Sequence, residues 1–109
     1  MNFDVKTIPF FDRQVKRLAR KFPSIKLELA ELARQLRENP EQGKGIGRSC
    51  YKIRLPVRSK GKGKSGGARV ITHVHVVGKN VYLLTIYDKS EKEDLADGEL
   101  EELLSGLHP

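Results

Sequence analysis

The chain carries 21 Lys and Arg against 14 Asp and Glu over 109 residues, a formal net charge of +7, with 38% hydrophobic residues and a single cysteine, Cys50. That length supports one domain, residues 1–109, with one modest core. A lone cysteine excludes an internal disulfide and a cysteine-based zinc site and fits a reducing cytoplasm, and no apolar run approaches a membrane span.

In chain order, Phe3 and Val5 alternate with polar residues and predict a short first strand. The segment Met1 to Phe11 has neither a basic n-region nor an apolar h-region, so no signal peptide is expected. Pro9 suits the first turn of a helix, with Thr7 or Ile8 just outside it. Phe10, Val15, Leu18 and Phe22 then form one apolar stripe, and Pro23 ends it. Ser24 is placed to cap a second helix, whose Ile25, Leu29, Leu32 and Leu36 hold a period of three to four until Asn39-Pro40.

Gly43, Gly45 and Gly47 mark a loop, after which the period changes to two. Tyr51, Ile53, Leu55 and Val57 share one face of a strand, with Lys52, Arg54 and Arg58 on the other. Ser59 to Gly67 reads as a basic, flexible connection. The next strand, Arg69 to Val77, sets Val70, Val74 and Val76 against Arg69, Ile71, His73 and His75. After the Gly78-Lys79-Asn80 turn, Val81 to Tyr87 puts Tyr82, Leu84 and Ile86 on one face and Leu83, Thr85 and Tyr87 on the other. Leu95, Leu100, Leu103 and Leu104 predict a short final helix, capped by Asp97. The fold class is α+β: an N-terminal strand and helical hairpin packed on a small antiparallel sheet, with a short C-terminal helix. The helices cover the Tyr51/Val70/Tyr82 face and leave the basic side chains on the open one.

Charge is the strongest functional signal. From Gln42 to Tyr87 there is no acidic residue, yet the stretch holds ten cations: Lys44, Arg48, Lys52, Arg54, Arg58, Lys60, Lys62, Lys64, Arg69 and Lys79. A one-signed field of this kind attracts a polyanion, and a solubilising surface normally mixes both signs. Residues 1–90 carry 20 basic and 7 acidic side chains, whereas residues 91–109 carry one basic and 7 acidic. The acidic C-terminal segment therefore either avoids the polyanion or folds over the basic face in its absence.

Several local patterns fail as chemistry. Gly61-Lys62-Gly63-Lys64-Ser65-Gly66 matches G-x-G-x-x-G, but it leads into a β-branched strand where a dinucleotide site needs a helix to open. His73 and His75 share one strand face without a third metal ligand nearby in sequence, which favours sheet histidines and leaves a part in phosphodiester acid–base chemistry open. No serine has an elbow or a base, and no carboxylate pair lies in the basic region. A nuclease built on this stretch works with cationic side chains, with no metal and no cofactor. Cys50 reads as a small strand-edge residue and not as a nucleophile.

The stretches Tyr51-Lys52-Ile53-Arg54-Leu55, Ser59 to Val70 and Leu83 to Lys92 resemble the RelE/ParE toxin superfamily, and most of all its HigB-like RelE branch. Lys-Ser-Gly-Gly-x-Arg and Tyr-x-Lys-Ser-Glu are the most specific segments of the likeness, which covers nearly the whole chain. It implies a cytoplasmic toxin that cuts messenger RNA on the ribosome, monomeric by itself and held inactive in a hetero-oligomeric complex by a cognate antitoxin. By position it implies Arg69 and Lys89 as catalytic cations, and it leaves proton transfer to Tyr87, His73, His75 or a lysine, with Tyr87 and Lys60 as the candidates. Arg54, Arg58, Lys62, Lys64, His73 and His75 would then line the RNA. The RelE branch has a tyrosine in its C-terminal segment, whereas this chain has none past Tyr87; the HigB branch has a late histidine, and here His108 is next to the end. The ParE branch shares the fold and acts on DNA gyrase, and a decayed toxin that only binds nucleic acid or antitoxin is a third reading.

Overall fold

A computed structural model describes residues 2–60 and 66–107. Lys62, Lys64 and His108 lie outside the described residues. The elements run β1 (Asp4–Thr7), α1 (Pro9–Lys21), α2 (Ile25–Glu38), β2 (Lys44–Gly47), β3 (Cys50–Leu55), a 3₁₀ turn (Arg58–Lys60), β4 (Ala68–His75), β5 (Asn80–Asp88) and α3 (Glu99–Ser105).

Proline sets both helix ends. Pro9 occupies the first turn of α1 behind Ile8, which is extended. Phe22 and Asn39 each precede a proline and leave the helical region, at φ −129°, ψ 88° and φ −131°, ψ 77°. The proline ring disfavours a helical conformation in the residue before it, so Pro23 and Pro40 stop α1 and α2 where they do. Ser24 stands at the start of α2, but its hydroxyl accepts no capping N–H there. It bonds instead to Glu28 Oε1 at 3.0 Å and to Ser59 Oγ at 2.8 Å, tying α2 to the 3₁₀ turn.

The sheet has five strands in the order β1-β5-β4-β3-β2, with β1 parallel to β5 and the rest antiparallel. Two edges were not legible as such. β1 joins the sheet, its Val5 opposite Val81. The glycine segment is strand β2, turned back into β3 through Arg48 and Ser49, both at positive φ (58° and 60°). Two successive residues at positive φ make the tight hairpin turn whose twist matches that of the flanking strands. Gly43, at φ +98°, packs so close that a Cβ would lie 2.6 Å from the Lys52 carbonyl oxygen.

The α1–α2 layer covers one face of the sheet. Leu18, Ile25 and Leu36 are fully buried against Val70, Val81, Leu84 and Ile86, with Ile53, Leu55 and Val74 beside them. The expected alternation breaks in β5. Ile71 pairs with Thr85, but Thr72 pairs with Leu83, so Leu84 is skipped as a bulge. Tyr82 consequently stands opposite His73, on the open face, while Val81 and Leu83 join the core side. The Tyr51/Val70/Tyr82 face is corrected to Tyr51/Val70/Leu83. β4 ends at His75, and Val76 and Val77 project from the turn at 62% and 91% exposure, so Val76 is not a core residue. α3 starts behind Gly98 at φ +81°, not behind an Asp97 cap, and the Glu99 carboxylate accepts the Ala96 N–H at 2.9 Å.

Candidate functional site

Strand register builds the site. Arg54 on β3 is directly opposite Arg69 on β4, and Arg69 is directly opposite Tyr87 on β5. Directly opposite residues point to the same face, so these three side chains stand in one row across the open side of the sheet. One residue pair along, Lys52, Ile71 and Thr85 make the next row.

Arg69 is the centre of the row and only 7% exposed. Its Nη1 donates to the Gly66 carbonyl at 2.9 Å and to the Ala68 carbonyl at 3.2 Å. Neither acceptor is charged, and among the described residues no carboxylate pairs with it. A buried guanidinium normally has a counter-ion, because desolvating a charge is expensive. Here two neutral carbonyls stand in for one, and the planar fork of donors suits phosphate oxygens.

Tyr87 is 5% exposed, and its hydroxyl has no hydrogen-bond partner among the described residues. Burial first, then the nearby Asp94 carboxylate, pushes the phenol up to about 12, with Arg69 pulling the other way. At neutral pH Tyr87 is a phenol, able to donate a proton and unfit to serve as a base. Lys92 Nζ sits 5.6 Å above the Tyr87 ring and is held by both oxygens of Glu99, at 2.7 and 2.6 Å.

Lys89 follows β5. Its N–H donates to the Gly67 carbonyl at 3.2 Å, and its ammonium lies 3.6 Å from Glu93. Gly67, at φ +60°, comes so close to β3 that a Cβ would sit 2.6 Å from the Leu55 carbonyl oxygen. A glycine there brings the Arg69 acceptors and Lys89 together, since no other residue fits that approach. Arg58 stands apart from the row. With Arg54 it lines a groove of about 510 Å³ between α2 and the end of β3, opposite Glu28 and Glu31.

Two groups of expected site residues lie elsewhere. Lys60 is on the helix side: its Nζ bonds Asp88 Oδ1 at 2.6 Å, and both side chains are nearly buried, at 12% and 2% exposure. Asp88 follows Tyr87 in the strand and so points to the opposite face. The ammonium also lies 5.7 Å above the Phe22 ring. Lys60 is thus engaged in a structural ion pair away from the Arg69 row. His73 is four residues from Arg69, about 13 Å along the strand. Its Nδ1 lies 3.0 Å from the Arg48 carbonyl, which can only accept, and burial above all lowers its pKa, so the ring is neutral. His75 lies farther still, at the exposed end of β4. Cys50 is buried, and burial pushes its thiol up to about 11, which suits the packing role.

Of the two courses expected for the acidic C-terminal segment, the structure shows the second, a fold over the basic face. Lys52 pairs with Asp94 at 3.4 Å and Arg48 with Glu101 at 3.0 Å, so residues after Ser90 lie over the face that was expected to be open. The charge imbalance between the body and this segment was the available signal.

Residues 9–105 match the model of the family described as the RelE toxin of the RelE / RelB toxin-antitoxin system. The chain belongs to the RelE toxin family. A solved structure of E. coli toxin RelE, a double-arginine variant in the free state, superposes with a TM-score of 0.64. That likeness covers 99% of this chain and 100% of the other at 18% identity, and at that identity it speaks for the fold. Membership of the RelE family gives the chain a toxin–antitoxin setting and an antitoxin as its partner. Among the described residues, no helix is long and apolar enough to cross a membrane.

Proposed function

We propose that this RelE-family protein is a cytoplasmic endoribonuclease that cuts messenger RNA on the ribosome without a metal ion. The observation that carries the reading is the Arg69–Tyr87 pair: among the described residues, a buried guanidinium without a carboxylate, beside a buried phenol without a hydrogen-bond partner. A phosphodiester supplies what both lack, namely anionic oxygens for the fork and a leaving oxygen for the proton.

In the reaction the ribose 2′-oxygen bonds to the adjacent phosphorus as its proton passes to water. The bond from phosphorus to the 5′-oxygen breaks, and that oxygen takes the proton of Tyr87, leaving a 2′,3′-cyclic phosphate. Arg69 stabilises the charge on the phosphorane, where each donor aimed at developing charge contributes about 3–4 kcal/mol. Lys89 and Arg54 hold the flanking phosphates, and Arg58, beside α2, stands outside this contact. Lys60 takes no part in this chemistry.

Arg69→Ala tests the reading, with cleavage of transcripts by purified protein and translating ribosomes as the assay. A loss of roughly 10²–10³-fold is expected. Full cleavage by the variant would remove Arg69 from the site. EDTA should leave the wild-type rate unchanged, and loss of cleavage on chelation, with ribosomes intact, would sink the metal-free mechanism. Induced expression should halt protein synthesis with cut transcripts; a DNA-damage response with continuing translation would instead point to a gyrase inhibitor.

A further inference from the structure

Three of the seven carboxylates after Ser90 meet cations of the body along the open face, while Glu91 pairs with Lys21 of α1 and Glu99 with Lys92 of the segment itself. Asp94 faces Lys52 at 3.4 Å, Glu101 faces Arg48 at 3.0 Å, and Glu93 lies 3.6 Å from Lys89. The segment is seated and not merely nearby, because Leu95, Leu100, Leu103 and Leu104 of the same stretch pack on the core. Beneath it Ile71, Thr85 and Tyr87 are almost wholly shielded, although α1 and α2 cover the other face.

This is the arrangement of a polyanion on a cationic sheet, with carboxylates standing where phosphates would lie. The pairs are also suited to exchange. The side chains of Arg48 and Glu101 are 56% and 58% exposed, and Asp94 is 65% exposed, so each contact contributes little to folding and is screened by salt. Among the described residues, Arg54 and Arg69 are the cations of the row that the segment leaves without a carboxylate.

We propose that the acidic segment competes with RNA for the open face, and that Asp94 and Glu101 set which RNA gains it. A strand displaces them only if it brings enough phosphates to replace both carboxylates and reach Arg69. An RNA held in place by other contacts does so, and a short free strand does so poorly. The inference rests on the RNA-cleaving reading above and adds a selectivity device within the same chain.

The test is binding of a fluorescently labelled single-stranded oligoribonucleotide to the full chain, measured from low to physiological salt. The wild type is compared with the double variant Asp94→Asn/Glu101→Gln. Glu38→Gln serves as the control, because Glu38 is the exposed last residue of α2, in the layer that covers the other face. Each neutralised carboxylate should tighten binding by up to about fivefold at low salt, the upper end for an exposed pair. The salt dependence should steepen by about 0.7 per cation released to a phosphate of a single strand. Glu38→Gln should match the wild type, and melting curves of both variants should stay within a few degrees of it.

Wild-type affinity and salt slope in the double variant, with measurable RNA binding by both, would overturn the competition and leave the nuclease reading standing. Equal tightening by Glu38→Gln would overturn it too, as a mere effect of net charge. Absence of binding by wild type and variants at every salt concentration would bring down the RNA reading itself and the inference with it.

Discussion

Lys60→Ala separates stability from chemistry at the residue where sequence pattern and structure differ most. The change removes an ammonium 2.6 Å from a carboxylate that is 2% exposed. Stripping one partner from a buried pair costs about 3–5 kcal/mol, because the other charge is left without compensation. Two observations move the figure to the low end. Asp88 Oδ1 also accepts the Ser90 N–H at 3.0 Å and the Ser90 hydroxyl at 2.9 Å, and these bonds survive the substitution. Lys60 is not fully desolvated either, at 12% exposure. A loss of about 2–3 kcal/mol is expected, equivalent to a fall in melting temperature of roughly 10 °C for a chain of this size.

The pH dependence supplies a second check. Burial by itself would raise the Asp88 carboxyl, but the Lys60 and Ser90 hydrogen bonds together outweigh it and hold the pKa below its ordinary value. A carboxyl depressed in the folded state contributes stability that is present above its unfolded pKa and lost as pH falls through the folded one. The wild type should therefore lose this contribution below about pH 4, and Lys60→Ala should lose less there. Urea unfolding across that range measures both effects. The reasoning fails if Lys60→Ala melts within two or so degrees of wild type and yet no longer cuts RNA, for then Lys60 belongs to the chemistry.

Tyr87→Phe removes a buried hydroxyl that has no partner, so it should leave the melting temperature unchanged or higher while cleavage falls by roughly 10²–10⁴-fold; unaltered cleavage would take Tyr87 out of the mechanism. Cys50 should react with a thiol reagent at pH 8 only as fast as the protein opens, since its thiol is buried and pushed up to about 11, and rapid labelling of the native protein would contradict that burial. Antitoxin association should slow as salt rises while dissociation changes comparatively little, as stopped-flow mixing would show; an association rate flat from low to physiological salt would mean that the cationic surface is not what the antitoxin reads.

Both helices were legible because apolar spacing and X-Pro stops acted together on short, local stretches. Arg69 and Tyr87 were legible as open-face residues because period-two alternation holds over the end of the sheet where they lie. The role of Lys60 was not, since a pair 28 residues apart in sequence leaves no periodic trace. One clue was present: Asp88 is the only acid between Gln42 and Ser90, and a single carboxylate in so basic a stretch has a cation to hold. The resemblance placed Lys60 among lysines near the RNA, but the 3₁₀ turn at Arg58–Lys60, fastened to α2 through Ser24 and Glu28, aims it at the other face.

The bulge at Leu84 follows from the same kind of conflict between local pattern and sheet. Strict alternation from Val81 to Tyr87 would put either Val81 and Leu83 or Leu84 and Ile86 in solvent, because the two pairs have opposite parity. All four are at most 4% exposed, and the skipped residue permits this by letting Leu83 and Leu84 both turn inward. The adjacent leucines in Val81-Tyr82-Leu83-Leu84 were therefore the mark of a bulge, two apolar residues in succession where a half-buried strand allows one. The bulge has a functional consequence as well. Parity is unchanged between it and Asp88, so Tyr87 keeps its place beside Arg69, while beyond it Tyr82 moves to the open face opposite His73. One irregularity thus fills the core at one end of β5 without disturbing the Arg54–Arg69–Tyr87 row at the other.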